Sequence, residues 1–252
     1  MIDLKEKVAL ITGGSRGIGA AAAIAFAEAG ASVIVNYAHR EDAAARVVAD
    51  ARARGVRAIA VRADVSRTDD VQRLFDIALA QFGRIDILAA NAGVWKRAEI
   101  ENLDEAKWHE TIDINLKGVY TCCRLAAIEM KKQSSGRIIT VSSTAGQRGE
   151  PFYSHYAASK GGVISFTKAL AVELGPFGIT VNSVAAGWVE TDMSAEALKP
   201  GSELEEIKNL IPLRRIATPD DIAGPILFLA SELARHITGE ILNVNGGSVL
   251  CG

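Results

Sequence analysis

Tyr156-Ala157-Ala158-Ser159-Lys160 sets a phenol and an ammonium four residues apart. On a helix, positions i and i+4 share one face. A free phenol, with a pKa of about 10, is too weak an acid to ionise near neutral pH. A cation held within a few Å favours the phenolate by roughly 1–3 units, or about 1.4–4 kcal/mol. A tyrosine tuned in this way can give its proton to a nascent alkoxide and recover it in the reverse direction. Upstream, Val141-Ser142-Ser143-Thr144 closes an apolar, β-branched run. A hydroxyl at the carboxyl end of such a strand can hydrogen-bond a substrate oxygen beside Tyr156. Adjacent strand residues point to opposite faces, so only one of Ser142 and Ser143 serves, and composition does not say which.

A second constellation lies near the N-terminus. Thr12-Gly13-Gly14-Ser15-Arg16-Gly17-Ile18-Gly19 follows an apolar run and opens a helical pattern. Small residues let the backbone turn tightly and let a pyrophosphate approach the helix N-terminus, where unpaired N–H groups favour an anion. The spacing is Gly-x-x-x-Gly-x-Gly, a variant of the dinucleotide fingerprint Gly-x-Gly-x-x-Gly. The next strand ends Val35-Asn36-Tyr37-Ala38-His39-Arg40, with no acid before Glu41. An NAD site generally offers an acid there to the ribose, whereas an NADP site offers cations to the 2′-phosphate. Arg16, with His39 or Arg40, can meet that phosphate, so the sequence predicts NADP. Arg40 and Glu41 also suit a solvated helix start. Asp64-Val65 and Asn91-Ala92-Gly93 end the third and fourth strands, at the sheet edge where ligands bind in this architecture. Asp64 suits either the adenine amino group or a helix cap.

The elements that must position these groups read as short apolar strands alternating with Ala-rich helices. Strands are predicted over 8–12, 32–37, 57–62, 85–89, 137–142, 180–185 and 240–244; most are continuous apolar runs, as expected of parallel strands covered on both faces. Helices are predicted over 17–29, 41–54, 68–82, 104–132 and 154–175, the first ended by Gly30. This alternation predicts a single-domain α/β Rossmann fold spanning 1–252, a doubly wound parallel sheet of about seven strands with helices on both faces. The polar segment 190–216 breaks the rhythm and is predicted to be a substrate-covering lid. A net charge of −2, from 28 basic and 30 acidic residues spread along the chain, leaves no footprint for nucleic acid or membrane. Three cysteines, Cys122, Cys123 and Cys251, form no disulfide framework and are read as inert thiols. The four histidines lack metal-ligand spacing, no metal is expected, and His155 is read as structural. No signal or spanning segment is apparent, which predicts a cytoplasmic protein.

Taken together, the glycine loop at 13–19, Asp64, Asn91-Ala92-Gly93, Asn115, Ser143, Tyr156 with Lys160 and the tail 239–247 resemble the short-chain dehydrogenase/reductase family over almost the whole chain. Within it the sequence is most similar to the 3-oxoacyl-acyl carrier protein reductase branch. The resemblance implies that Ser143, not Ser142, polarises the substrate oxygen. It implies that Lys160 also binds the nicotinamide ribose and that Asn115 holds a proton-relay water. Gly187, Val189 and Thr191 would lie along the nicotinamide, with Thr191 on its carboxamide. It further implies a homotetramer, with helices near 104–132 and 154–175 at one interface, and reduction of a 3-oxoacyl thioester by NADPH in fatty acid biosynthesis. The same residues would serve a sugar, polyol, alcohol or ketone dehydrogenase. A dinucleotide sensor without catalysis is the remote alternative, and it should have lost the Ser-Tyr-Lys set that this chain keeps.

Departures from the family pattern are informative. Ala186-Gly187 replaces Pro-Gly, which should loosen the turn beneath the nicotinamide. Asn245 replaces an aspartate. Positions that dock the acidic carrier in the family are Gln133 or Ser134 and Phe177 here, although Lys131 and Lys132 are close. Trp95, Trp188, Met193 and Leu198 are candidates for a substrate pocket or for ordinary loop packing.

Overall fold

The structure, a computed structural model, describes residues 2–250; Cys251 lies outside them. Seven parallel strands form one sheet: β1 (Val8–Ile11), β2 (Ser32–Tyr37), β3 (Ala58–Arg62), β4 (Ile87–Ala90), β5 (Gly136–Ser143), β6 (Ile179–Ala186) and β7 (Ile241–Val244). Their order is β3-β2-β1-β4-β5-β6-β7. Helices α1 (Gly17–Glu28), α2 (Glu41–Ala53), α3 (Thr68–Phe82), α4 (Glu105–Ile112), α5 (Gly118–Gln133), α6 (Thr144–Arg148), α7 (Ser154–Leu174), α8 (Ser202–Leu210) and α9 (Pro219–Ala230) connect or follow them.

The two-residue strand period explains why both faces are covered. In β1, Ala9 and Ile11 join a core with Phe26 of α1, Val47 of α2 and Ile226 of α9. Val8 and Leu10 turn to the other core, with Leu74 and Phe75 of α3, Met130 of α5 and Val163 of α7. Chain order reverses on either side of β1, which pairs with β2 and β4. At such a switch point the flanking connections leave on opposite faces and open a crevice beyond the carboxyl ends.

The structure departs from expectation in three places. The helix predicted over 104–132 is interrupted between α4 and α5 by a π-helical turn, Asp113–Lys117, that contains the buried Asn115. The wider turn shifts the side chains that follow it, and such insertions concentrate at functional sites. Three helices, α6, α8 and α9, were missed. The five-residue α6 is too short to show a period. By contrast, α9 begins with a capping box between Thr218 and Asp221 and has Pro219 in its first turn, a signal present in the sequence. Finally, 190–216 consists of turns plus α8.

Cys122 and Cys123 are buried in α5, and burial pushes the Cys122 thiol up to about 12, consistent with inert thiols. No helix among the described residues is long and apolar enough to cross a membrane.

Candidate active site

A crevice of about 500 Å³ lies beyond the carboxyl ends of the strands. The candidate site residues named from the sequence line it, except Gly19 and Asn115, which are buried, and Leu198.

The glycine loop is built around close approaches. A Cβ on Gly19 would lie 2.6 Å from Asn91 Nδ2 and closer still to the Gly13 carbonyl, and Gly17 adopts φ +53° against Thr191. The start of α1 has neither a side-chain cap nor an acid in its first turn. Its N–H groups and dipole face the crevice uncompensated, as an anion site requires. Thr12 and Asn91 stitch this loop to the end of β4. Thr12 Oγ1 accepts from the Asn91 and Ala92 amides at 3.0 and 3.1 Å, and Asn91 Nδ2 donates to the Thr12 carbonyl at 3.1 Å. Thr12 was not singled out from the sequence; its only signal was a hydroxyl at a strand end.

Asn36 clamps the loop from the other side. Its Oδ1 accepts from the Gly13 amide at 3.2 Å and its Nδ2 donates to the Ala63 carbonyl at 2.9 Å. The side chain is 2% exposed, so this residue positions the loop. Asp64 accepts from the amide and hydroxyl of Ser66 in an Asx turn; the N-cap of α3 is Arg67. His39 and Arg40 are exposed at the rim, beside Tyr37. Arg16 reaches across to Asp192 at 3.1 Å, joining the glycine loop to the 190–216 segment.

At the centre of the crevice, β5 and α7 bring Ser143, Tyr156 and Lys160 together. The Ser143 hydroxyl is close enough to the Tyr156 phenol to favour its ionised form, and it accepts from the Ala145 amide at 3.1 Å as the cap of α6. Ser142 faces away: it accepts from the Ser183 hydroxyl at 2.8 Å, between β5 and β6. Lys160 is buried and donates to the Val141 carbonyl at 2.8 Å, with its ammonium 5.8 Å from the Tyr156 ring centre. Burial pushes the phenol up to about 12 and lowers the ammonium to about 8. The sequence reading expected a phenol lowered by its lysine. Among the protein's own groups, burial of the phenol dominates, the charge of Glu150 adds to it, and the Ser143 hydroxyl opposes the rise only in part. Asn115 Oδ1 accepts from the Val94 amide at 2.8 Å while Nδ2 donates to the Val94 carbonyl at 2.9 Å and to Ser159 Oγ at 3.2 Å. It therefore ties the loop after β4 to α7.

Beyond Tyr156 the crevice has an aromatic wall. Trp95 stacks on Tyr153 with ring centres 4.4 Å apart and meets Trp188 edge-on at 5.5 Å. Trp188 and Met193 line the crevice; Leu198 does not. At the family's departures, β6 runs through Ala186, which pairs with Ser143 and Val244. Asn245 donates to the Val249 carbonyl at 3.0 Å and accepts from the Gly247 amide at 2.9 Å. An aspartate could make only the second bond. Lys131 lies over the Phe177 ring and 3.9 Å from Glu173; Lys132 pairs with Glu129 at 2.6 Å. His155 is buried, and burial with the nearby Lys107 holds it below the usual imidazole range. Among the described residues no group of three or more His, Cys, Asp or Glu is placed to hold a metal.

A Rossmann sheet with this glycine loop and a Ser-Tyr-Lys set at its switch point defines a nicotinamide-dependent oxidoreductase. A family profile described as enoyl-(acyl carrier protein) reductase matches residues 13–248. A 3-oxoacyl-[acyl-carrier-protein] reductase from Synechocystis sp. is 45% identical, covering 99% of this chain and 100% of that protein. One from Staphylococcus epidermidis is 42% identical, covering 96% and 98%. The crystal structure of a putative short-chain alcohol dehydrogenase from Sinorhizobium meliloti superposes with a TM-score of 0.94 at 35% identity, covering 98% of this chain and 97% of that one. The chain belongs to the short-chain dehydrogenase/reductase family.

Proposed function

We propose that the protein is an NADP-dependent reductase that converts the carbonyl of a 3-oxoacyl thioester to a hydroxyl, with Tyr156 as general acid. The convergence of Ser143, Tyr156 and Lys160 at the crevice carries this reading. The dinucleotide would lie along the uncapped start of α1, with its 2′-phosphate near Arg16, His39 and Arg40, and it supplies the hydride. Asp64 and Val65 would flank the adenine, while Gly187, Val189 and Thr191 would flank the nicotinamide. Ser143 holds the substrate oxygen by a hydrogen bond that strengthens as negative charge develops there. Tyr156 delivers the proton to that oxygen. Lys160 supplies positive charge beside the phenol and would hold the nicotinamide ribose, and Asn115 supports a proton relay by holding the loop at Val94.

The 190–216 segment acts as the lid, tied to the phosphate loop through Arg16 and Asp192. The chain works as a cytoplasmic homotetramer; exposed Tyr120 and Ile128 on α5 and Val172 on α7 suit the interface. A second reading, the same chemistry on a ketone, sugar or alcohol not bound to a carrier, is favoured by the pairing of Lys131 and Lys132 with acids. The test is NADPH oxidation with acetoacetyl thioesters, free and carrier-bound, against sugars and simple ketones. Preferential turnover of a thioester supports the first reading. A ketone or sugar turned over in preference moves the assignment to the second, and no turnover of any carbonyl overturns both.

A further inference from the structure

Glu150 lies in the loop between α6 and α7 and lines the crevice with Trp95, Trp188 and Tyr156. Its Oε2 accepts from the Trp95 indole N–H at 3.3 Å, which orients the aromatic wall. Three other acids of the crevice are ion-paired: Glu110 with Lys96, Asp113 with Lys117 and Asp192 with Arg16. Asp64 lies at the far end, beyond β3. Glu150 has no ion-pair partner within 4.0 Å among the described residues, although Arg148 is near enough for its charge to be felt. The charge of Glu150 acts on the Tyr156 phenol, so it also acts on whatever oxygen that phenol serves.

We propose that Glu150 is a specificity-determining residue that admits uncharged carbonyl compounds and rejects keto acids. This deepens the carbonyl-reductase reading and rests on it. An unpaired, half-buried carboxylate repels a second carboxylate far more than a water-exposed one does, because the intervening dielectric is lower. The flat faces of Trp95 and Trp188 offer apolar contact to a neutral acyl group or ester. A 3-oxoacyl group in thioester linkage is neutral at its reacting end, whereas the corresponding free acid is not. Glu150 thus separates a substrate from its hydrolysis product.

The test compares acetoacetate with ethyl acetoacetate, using binding by calorimetry in the presence of NADP+ and kcat/KM with NADPH. The wild type should favour the ester by at least about tenfold. Glu150→Gln keeps an acceptor for Trp95 but removes the charge, and should narrow the ratio to about threefold or less. Glu150→Asp keeps the charge and should retain the preference, which separates charge from a loss of folding. An unchanged ratio in Glu150→Gln, or a wild type indifferent to charge, overturns the proposal. Because binding is read without turnover, a protein that reduces neither compound fails the catalytic reading while the binding ratio still decides the role of Glu150.

Discussion

The Lys160 ammonium donates to the main-chain carbonyl of Val141 at 2.8 Å, and together with the Thr140–Thr167 hydroxyl pair at 2.9 Å this bond ties α7 to β5 and holds their register. Val141 stands two residues before Ser143 and Tyr156 one turn before Lys160, so the same contact that holds the lysine also brings the phenol to the serine. The partner is a backbone atom, so this register does not depend on the side chain at position 141.

Tyr156→Phe removes the proposed proton donor and leaves the aromatic surface. NADPH reduction of a carbonyl substrate should fall by roughly 10²–10⁴-fold. NADPH affinity, measured by fluorescence titration, should change little, because the glycine loop and the α1 terminus are untouched. Turnover at the wild-type rate would refute the role of the phenol.

The two serines make opposite predictions. Ser143→Ala removes the hydroxyl beside Tyr156 that favours the phenolate. Turnover should drop by roughly 10²–10³-fold, and the ionisation limb in the pH profile of alcohol oxidation should move upward. Ser142→Ala instead breaks a contact with Ser183 inside the sheet. It should cost about 1 kcal/mol of stability and leave kcat near the wild-type value. If Ser142→Ala proved the inactive variant, the assignment would be reversed.

Lys160→Met tests the cost of a buried charge. The folded-state pKa is lowered to about 8 from 10.5, so between these values the unfolded chain holds the proton and the folded chain does not. Stability therefore rises with pH across that window, and below about pH 8 the charged ammonium carries a penalty of about 3 kcal/mol. The methionine variant, without cofactor, should be the more stable protein near pH 7 by up to that amount, less the lost bond to Val141. Its advantage should shrink toward pH 10.5, and it should be inactive. Thermal midpoints at several pH values decide the matter; a constant difference between the proteins would contradict the buried-charge account.

The strands, most helices and the crevice residues were readable because their signals are local: apolar runs for a two-faced sheet, glycines at a strand-helix turn, and i,i+4 spacing for Tyr156 and Lys160. The π-helical turn at Asp113–Lys117 was not, since one inserted residue leaves the apolar period of 104–132 nearly unchanged. The lysine-lowered phenol was expected from charge alone, whereas the burial that raises the phenol is a tertiary property. Thr12 and Glu150 carry no motif; their roles come from Asn91 and Trp95, distant in sequence.

Arg16, His39 and Arg40 make the cofactor preference testable. Arg16→Ala should weaken NADPH binding more than NADH binding, because only the former carries the 2′-phosphate. The loss in NADPH affinity should be about tenfold for one exposed cation, and it should diminish at high salt. Wild-type protein that binds NADH more tightly than NADPH would defeat the assignment.

Asn36 gives the strictest test of the difference between holding a loop and touching a ligand. It stands at the end of β2, near where an acid would favour NAD, so Asn36→Asp looks like a cofactor switch. The geometry argues otherwise. Oδ1 is engaged by the Gly13 amide and Nδ2 by the Ala63 carbonyl, with almost none of the side chain exposed. An aspartate keeps the first bond, but it sets a carboxylate oxygen against the Ala63 carbonyl, with no proton to share unless it is itself protonated. The expected cost is about 1–3 kcal/mol, or roughly 2–12 °C in thermal midpoint for a domain of this size. Affinity for NADPH and NADH should fall together as the phosphate loop loosens. Selective gain of NADH binding at an unchanged midpoint would mean that this side chain faces the ribose and not the loop.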